Sequence, residues 1–267
     1  MSFWYREVLP DVFHIEDALG VCMTLLCGST GAMLVDAGYG LEDVAAFAAS
    51  LTDRPIRLVL THGHYDHILG ARWFPEAALL AEDLPLAREH ETAFWRKRAL
   101  EQAALLGIRT EERAFLSAPG AAWKSLEPGT IDLGSLSVEV IRCPGHTPGS
   151  AVLYVPERGL LLTGDDWNPC TWLFFREALS VQAYRENMRR LLALPFRHVL
   201  CPHRRELYKR DMLEAFLTGL TDEALLSAKP VDTGEWLGVR TGEIEPAPGQ
   251  ILVFDRKKMC PCLQNKP

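Results

Sequence analysis

The chain lacks four things, and each absence removes a class of protein. No apolar run approaches the ~18 residues that a membrane-spanning helix requires. The start, MSFWYREVLPDVFHIED, has no basic stretch followed by an apolar core and a small-residue cleavage site, so no secretory leader is expected. No two of the seven cysteines (Cys22, Cys27, Cys143, Cys170, Cys201, Cys260 and Cys262) form a CxxC pair. An odd, scattered set does not make a disulfide framework and points to a reducing, cytoplasmic setting. The CPC near the end reads as a tail feature, because two thiols one residue apart make a poor closed metal site. No Lys/Arg block exceeds three residues, as in RKK at Arg256–Lys258, and the formal net charge is −7. A nucleic-acid footprint is therefore not expected.

What is present is an ordinary globular composition. The 267 residues are 48% hydrophobic and 24% charged, enough for a sizeable core in one large domain or two intimate halves. Apolar runs rich in β-formers (DVFHIED, VCMTLLCG, GAMLVDAG) precede a helical LEDVAAFAASL, a short buried strand PIRLVL, and a helical DHILGARWF. Residues 81–118 read as a charged helical insertion, a solvated outer layer or a lid. Four short strands with Gly/Pro turns are expected between Gly129 and Trp167. The helix VQAYRENMRRLLAL, the strand HVL and the helix LYKRDMLEAFLTGL follow. A Gly/Pro-rich C-terminal extension, 230–267, contains the strand-like QILVFD. This order is that of an α/β layered protein. AMLVDAG and GLLLTGDD echo one another as apolar strands closing on a Gly and an Asp, which suits two related halves packed face to face.

The chemistry concentrates in VLTHGHYDHILG, which holds His62, His64, Asp66 and His67 within six residues. His-x-His in an extended turn puts two imidazoles on one side, close enough to share an ion. Asp66 and His67 follow a turn and reach a second position. Imidazole with carboxylate suits Zn²⁺ first and Fe or Mn less exclusively. From the chain's own composition, such a cluster arises by chance well under about one time in a thousand. Three further groups sit on loops at strand tips, where functional side chains gather on α/β scaffolds. His146 lies in CPGHTPGS, Asp165 in LLTGDDW, and His203 in LCPHR. Asp165 directly follows Gly164, a residue free to turn tightly. Asp166 is left to solvent or a supporting role.

In that order, these residues resemble those of the metallo-β-lactamase-fold hydrolases, whose H-x-H-x-D-H signature matches His62–His67. The resemblance runs from about Val12 to His203. It implies an α/β fold, an αββα sandwich of two mixed β-sheets flanked by helices. It also implies one metal held by His62, His64 and His146, a second by Asp66, His67 and His203, and Asp165 bridging both. Asp36, in MLVDAG, matches a position that often carries an acid near the metals, as a partner for a ligand imidazole; a plain turn residue is the competing reading. Two divalent ions outweigh the two carboxylates, leaving a residual positive charge suited to negative charge developing on oxygen. Asp66 is the candidate catalytic residue, orienting the nucleophile or shuttling its proton.

The expected activity is hydrolysis of a small ester, thioester, lactone or related substrate by a two-metal-activated hydroxide. The alternative is an oxidoreductase resembling the mononuclear-iron persulfide dioxygenases, separable by metal content and oxygen uptake. The implied partners are a small-molecule substrate and no nucleic acid or membrane, with a homodimer left open. His14, His90 and His198 lie outside every motif and read as structural or exposed. Cys201 reads as a buried strand-end thiol, and Tyr65 as a candidate substrate contact. Trp167, Trp172, Phe174 and Phe175 form either a pocket wall or a packed loop.

Overall fold

Period-two alternation along the first strands decides the layering. A computed structural model describes residues 3–234 and 239–259, so the CPC tail lies outside the described residues. Strands β1 (Trp4–Leu9), β2 (Val12–Glu16), β3 (Cys22–Cys27) and β4 (Ala32–Val35) form an antiparallel meander. Nearly every residue of β3 and β4 is buried, which requires cover on both faces. Leu25 and Leu34 pack with Val44 and Ala48 of α1 (Val44–Ala49). Their chain neighbours Leu26 and Met33 belong instead to the cluster of Leu153, Leu160 and Leu200 from the second half. One face thus meets a helix and the other meets a second sheet.

The chain then runs parallel. β5 (Ile56–Val59) lies beside β4, with Val35 opposite Val59. It leads through the short α2 (Tyr65–Ile68) and a 3₁₀ turn at Leu69–Trp73 to β6 (Ala77–Leu80). The single helix expected over DHILGARWF is therefore split. Helices α3 (Leu84–His90), α4 (Ala93–Leu105) and α5 (Glu112–Leu116) occupy the charged segment, and β7 (Trp123–Leu126) completes a seven-stranded sheet in sequence order.

The second half repeats the logic. β8 (Gly129–Asp132), β9 (Ser137–Arg142), β10 (Ala151–Val155) and β11 (Leu160–Leu162) are the four expected strands. Next come β12 (Cys170–Leu173), α6 (Val181–Leu191), β13 (His198–Leu200), β14 (Tyr208–Lys209), α7 (Arg210–Gly219) and α8 (Asp222–Leu226). The second sheet has the order β14-β13-β11-β10-β9-β8, with β11 and β13 parallel and Leu162 opposite Leu200. Leu153, Leu160 and Leu162 face the first sheet, while Val152, Leu161 and Val199 pack on Tyr184, Met188, Leu213 and Phe216 of α6 and α7. Helix, sheet, sheet, helix is the expected αββα sandwich.

One layer was not expected. β15 (Lys229–Pro230), β16 (Thr241–Ala247) and β17 (Gln250–Asp255) join β12 in a four-stranded sheet of order β12-β17-β16-β15. Leu173, Ile244, Leu252 and Phe254 pack into the same core as α6 and α7. The strand-like QILVFD therefore pairs with the aromatic stretch after Asp165, some eighty residues earlier in the chain.

Candidate metal centre

The strand pairs β4/β5 and β11/β13 end at one edge of the sandwich, where open α/β sheets place their ligands. Asp36 follows β4, His62 follows β5, His146 follows β9, Asp165 follows β11 and His203 follows β13. Local chemistry sets each turn. Gly164 adopts φ +53°, and a Cβ there would stand 2.8 Å from the Thr61 side chain, so the chain can present Asp165 only through glycine. Asp36 itself has φ +63°, a conformation that aspartate tolerates better than most residues.

All seven expected residues come together, in two groups. The ligating atoms of His62, His64 and His146 lie within 4.8 Å of one another, as do those of Asp66, His67, Asp165 and His203. In the first group, His64 Nδ1 is 3.1 Å from His62 Nε2 and 2.8 Å from His146 Nε2. In the second, His203 Nε2 is 3.0 Å from Asp165 Oδ1, and His67 Nε2 is 3.5 Å from both Asp66 Oδ2 and Asp165 Oδ2. Asp165 also links the groups, with Oδ2 3.6 Å from His146 Nε2 and 4.0 Å from His62 Nε2.

The outward nitrogens explain why the inward ones converge. His67 Nδ1 lies 3.0 Å from Asp36 Oδ2, an acceptor-only carboxylate, so Nδ1 carries a proton and Nε2 is the nitrogen turned toward the centre. Of the two readings the sequence leaves open for Asp36, partner of an imidazole or plain turn residue, the contact with His67 selects the first. Thr61 Oγ1 donates to Asp36 and so accepts from His62 Nδ1 at 3.0 Å. His146 Nδ1–H donates to the Trp172 carbonyl at 2.7 Å. Each of these rings therefore turns its other nitrogen inward, the arrangement that orients imidazoles on metals.

Electrostatics separates the groups. Burial, then repulsion from neighbouring imidazoles, pushes His62 well below the usual histidine range and His146 down to about 4. Burial opposes protonation of His67 and His203 too. There the carboxylates, Asp66 and Asp165 foremost around His67 and Asp165 around His203, outweigh it and raise both. Burial likewise opposes ionisation of Asp165, but His203 and His67 hold it well below the carboxylate range. Burial thus keeps His62 and His146 neutral, while the carboxylates of the second group attract positive charge.

The donor set fits metal ions. His67 Nε2 and Asp165 Oδ1 are buried and have no hydrogen-bond partner among the described residues. Such orphaned groups are costly in a protein interior unless something else satisfies them. Five imidazoles and two carboxylates facing inward are the ligands of a borderline-soft divalent ion.

Several supporting residues carried no motif. Asp83, at the start of α3, accepts from Gly63 N–H (2.9 Å), Gly149 N–H (2.7 Å) and Thr147 Oγ1–H (2.7 Å). It thereby ties the His62–His64 loop to the His146 loop. Asp166 is buried rather than solvated and accepts from the His146 N–H at 2.9 Å. His90 is neither exposed nor remote: its ring stacks on His64 at 5.1 Å and on Trp95 at 4.0 Å, and burial and then His64 push it down to about 3. Glu177 Oε1 sits 2.6 Å from His64 Nε2. Burial opposes its ionisation, but the hydrogen bond from His64 prevails and holds it at about 2.

The aromatic stretch divides. Trp167 and Phe174 are buried in the core, Trp172 is exposed, and the Phe175 ring lies 5.0 Å from His64 and 5.4 Å from His146. Tyr65 packs between Tyr39 (5.5 Å) and Trp95 (4.9 Å). His14 is buried and His198 half-buried in β13. Cys201 is buried, which pushes its thiol up to about 12. Among the described residues, no helix is long and apolar enough to cross a membrane.

The family model of the metallo-beta-lactamase superfamily matches residues 17–203, and the chain belongs to that superfamily. Acyl-coenzyme A thioesterase MBLAC2 from chicken (Gallus gallus) is 32% identical over 209 residues, 72% of either chain. The human protein of that name is 26% identical over 204 residues, 62% of this chain and 66% of its own. Among solved structures, a metallo-beta-lactamase from Pontibacter korlensis superposes with a TM-score of 0.59 at 17% identity, covering 80% of this chain and 96% of that one. TTHA1623 in a di-iron-bound form superposes with a TM-score of 0.53 at 24% identity, covering 72% and 91%.

Proposed function

We propose that the protein is a metal-dependent hydrolase with a two-ion site, acting on a thioester or a chemically similar ester or lactone. The observation that carries this reading is the convergence of seven inward-facing donors, two of them buried and orphaned, at one edge of the sandwich. His62, His64 and His146 would hold one ion, Asp66, His67 and His203 the other, and Asp165 both. When bound, the ions supply Lewis acidity, which makes water nucleophilic at neutral pH and stabilises negative charge on the reacting carbonyl oxygen.

The chain's own residues do the rest. Asp66, 3.5 Å from His67 and 3.7 Å from His203, lies at the more open group, where it orients the attacking water and accepts its proton. His203, with 30% of its side chain exposed, marks the side from which substrate enters. The Phe175 ring lies against His64 and His146 and screens the first group from bulk water. The name carried by the chicken and human relatives makes an acyl-coenzyme A thioester the first substrate to test.

The test is a panel of acyl-CoA thioesters, aryl esters, lactones and phosphodiesters, with thiol release and acid production followed with and without a chelator. Thioester cleavage that stops on chelation and returns with added Zn²⁺ or Mn²⁺ is the expected result. A protein inert on the whole panel that instead consumes oxygen with a persulfide would overturn the hydrolase reading in favour of the oxidoreductase.

A further inference from the structure

Beside the first ligand group stands a third cluster, His64, His90 and Glu177, whose ligating atoms also lie within 4.8 Å of one another. It is not a further cation site. The Tyr65 backbone N–H donates to His90 Nδ1 at 3.2 Å, and a neutral imidazole that accepts at one nitrogen carries its proton on the other. His90 therefore presents an N–H, not a lone pair, on its remaining side. What the cluster does have is a carboxylate on the outward nitrogen of His64.

Glu177 Oε1 lies 2.6 Å from His64 Nε2, and an ionised carboxylate only accepts. His64 accordingly donates Nε2–H, and its Nδ1 lone pair faces His62 Nε2 and His146 Nε2. The ring is further held by stacking on His90, with an interplanar angle of 24°, and by the edge of Phe175. His64 differs here from its two companions. The outward nitrogen of His62 meets a threonine hydroxyl and that of His146 a backbone carbonyl, both neutral.

Glu177 is itself anchored from far along the chain. Lys258 Nζ donates to the carbonyls of Phe175 (2.9 Å), Arg176 (2.7 Å) and Ala178 (2.7 Å), closing the loop that carries Glu177. Lys258 lies beyond residues 17–203, the span of the superfamily match.

We propose that Glu177 is the positioning residue of the first ion: by accepting the Nε2 proton of His64 it fixes the tautomer and ring angle that aim Nδ1 inward, and Lys258 holds its loop in place. This rests on the reading that His62, His64 and His146 bind an ion. Removing the outer partner of a ligand histidine typically weakens metal binding about 10- to 100-fold. Glutamine in place of Glu177 keeps an oxygen that can accept the same proton, whereas alanine does not.

The experiment measures Co²⁺ affinity by visible absorption in competition with a chelator, on wild type, Glu177→Ala, Glu177→Gln and Lys258→Met. In parallel, ¹⁵N imidazole spectra of the metal-free proteins read the His64 tautomer, and melting curves check that each variant is folded. Glu177→Ala should weaken one binding phase about 10-fold or more and lose the single Nε2–H tautomer, Glu177→Gln should stay within about threefold, and Lys258→Met should fall between. Affinity within twofold of wild type in folded Glu177→Ala, or equal loss in the alanine and glutamine variants, overturns the proposal for Glu177. Unchanged affinity in Lys258→Met overturns the anchoring step. A wild type that binds no Co²⁺ overturns instead the metal reading beneath it, so the two failures are distinguishable.

Discussion

The two ligand groups lie side by side yet are built differently. His62, His64 and His146 are all imidazole and nearly inaccessible to solvent. Asp66, His67, Asp165 and His203 mix carboxylate with imidazole and open outward at His203. In the closed group, burial keeps His62 and His146 neutral, and their outward hydrogen-bond partners select which nitrogen faces the centre. The open group controls its chemistry through charge, because its carboxylates outweigh burial and draw cations or protons. A hydrolytic site can use both: one position fixed and dry, the other accessible to water and substrate.

The sharpest way to break this contrast is Asp165, which belongs to the open group but reaches within 3.6 Å of His146 and 4.0 Å of His62. Asp165→Ala should lower kcat/KM by ~10³-fold or more, the several kcal/mol that such charge stabilisation supplies, and empty both positions. His203→Ala should lose only the second ion and a smaller share of the rate. Steady-state kinetics with metal analysis on the same samples reads both. Equal losses, with the same stoichiometry, would erase the distinction between a closed and an open group.

Asp83 tests the closed group alone, since its three hydrogen bonds reach only the loops of His62–His64 and His146. Asp83→Ala leaves two buried glycine N–H groups without acceptors, at about 1–3 kcal/mol each. Urea denaturation of the metal-free protein should show a loss of about 2–6 kcal/mol, and an unchanged midpoint would mean that the clamp contributes nothing.

The smallest effect concerns the support of the open group. His14 is buried, bonded to Thr24 Oγ1 (3.1 Å) and to the Arg204 carbonyl (2.9 Å), next to His203 in sequence. Burial lowers its pKa below the ordinary value of 6.5. The folded state therefore binds the proton less readily than the unfolded state. The stability His14 contributes is complete above about pH 6.5 and is eroded as pH falls from there toward the depressed folded value. His14→Gln should flatten the decline in unfolding free energy between about pH 7 and 5. The same slope in wild type and variant would contradict a buried, neutral His14.

Legibility in the sequence followed chemistry, not importance. The seven inward donors were readable because rare residue types recur at strand tips beside Gly and Pro. Asp36 was readable only through the resemblance, as a position that often carries an acid near the metals. Glu177 and Asp83 were not, because a lone acid in a loop or at a helix start has no pattern until folding sets it against His64 or Gly63. His90 looked structural for the same reason: its role comes from ring stacking across the fold. The two main sheets were visible as apolar runs rich in β-formers between Gly and Pro turns, whereas the third pairs β12 with β17 over a separation no local pattern encodes. Trp167 looked as much like a pocket wall as a core, and only packing against α6, α7 and the third sheet decided between them.

The central claim is that two neighbouring cations sit where these seven side chains meet. Elemental analysis of the purified protein, matched to its hydrolytic rate before and after chelation, tests it most directly. The expected result is close to two ions per chain, with activity lost on their removal and restored on their return. Full turnover without any transition metal, or a single iron with oxygen consumption, would contradict it.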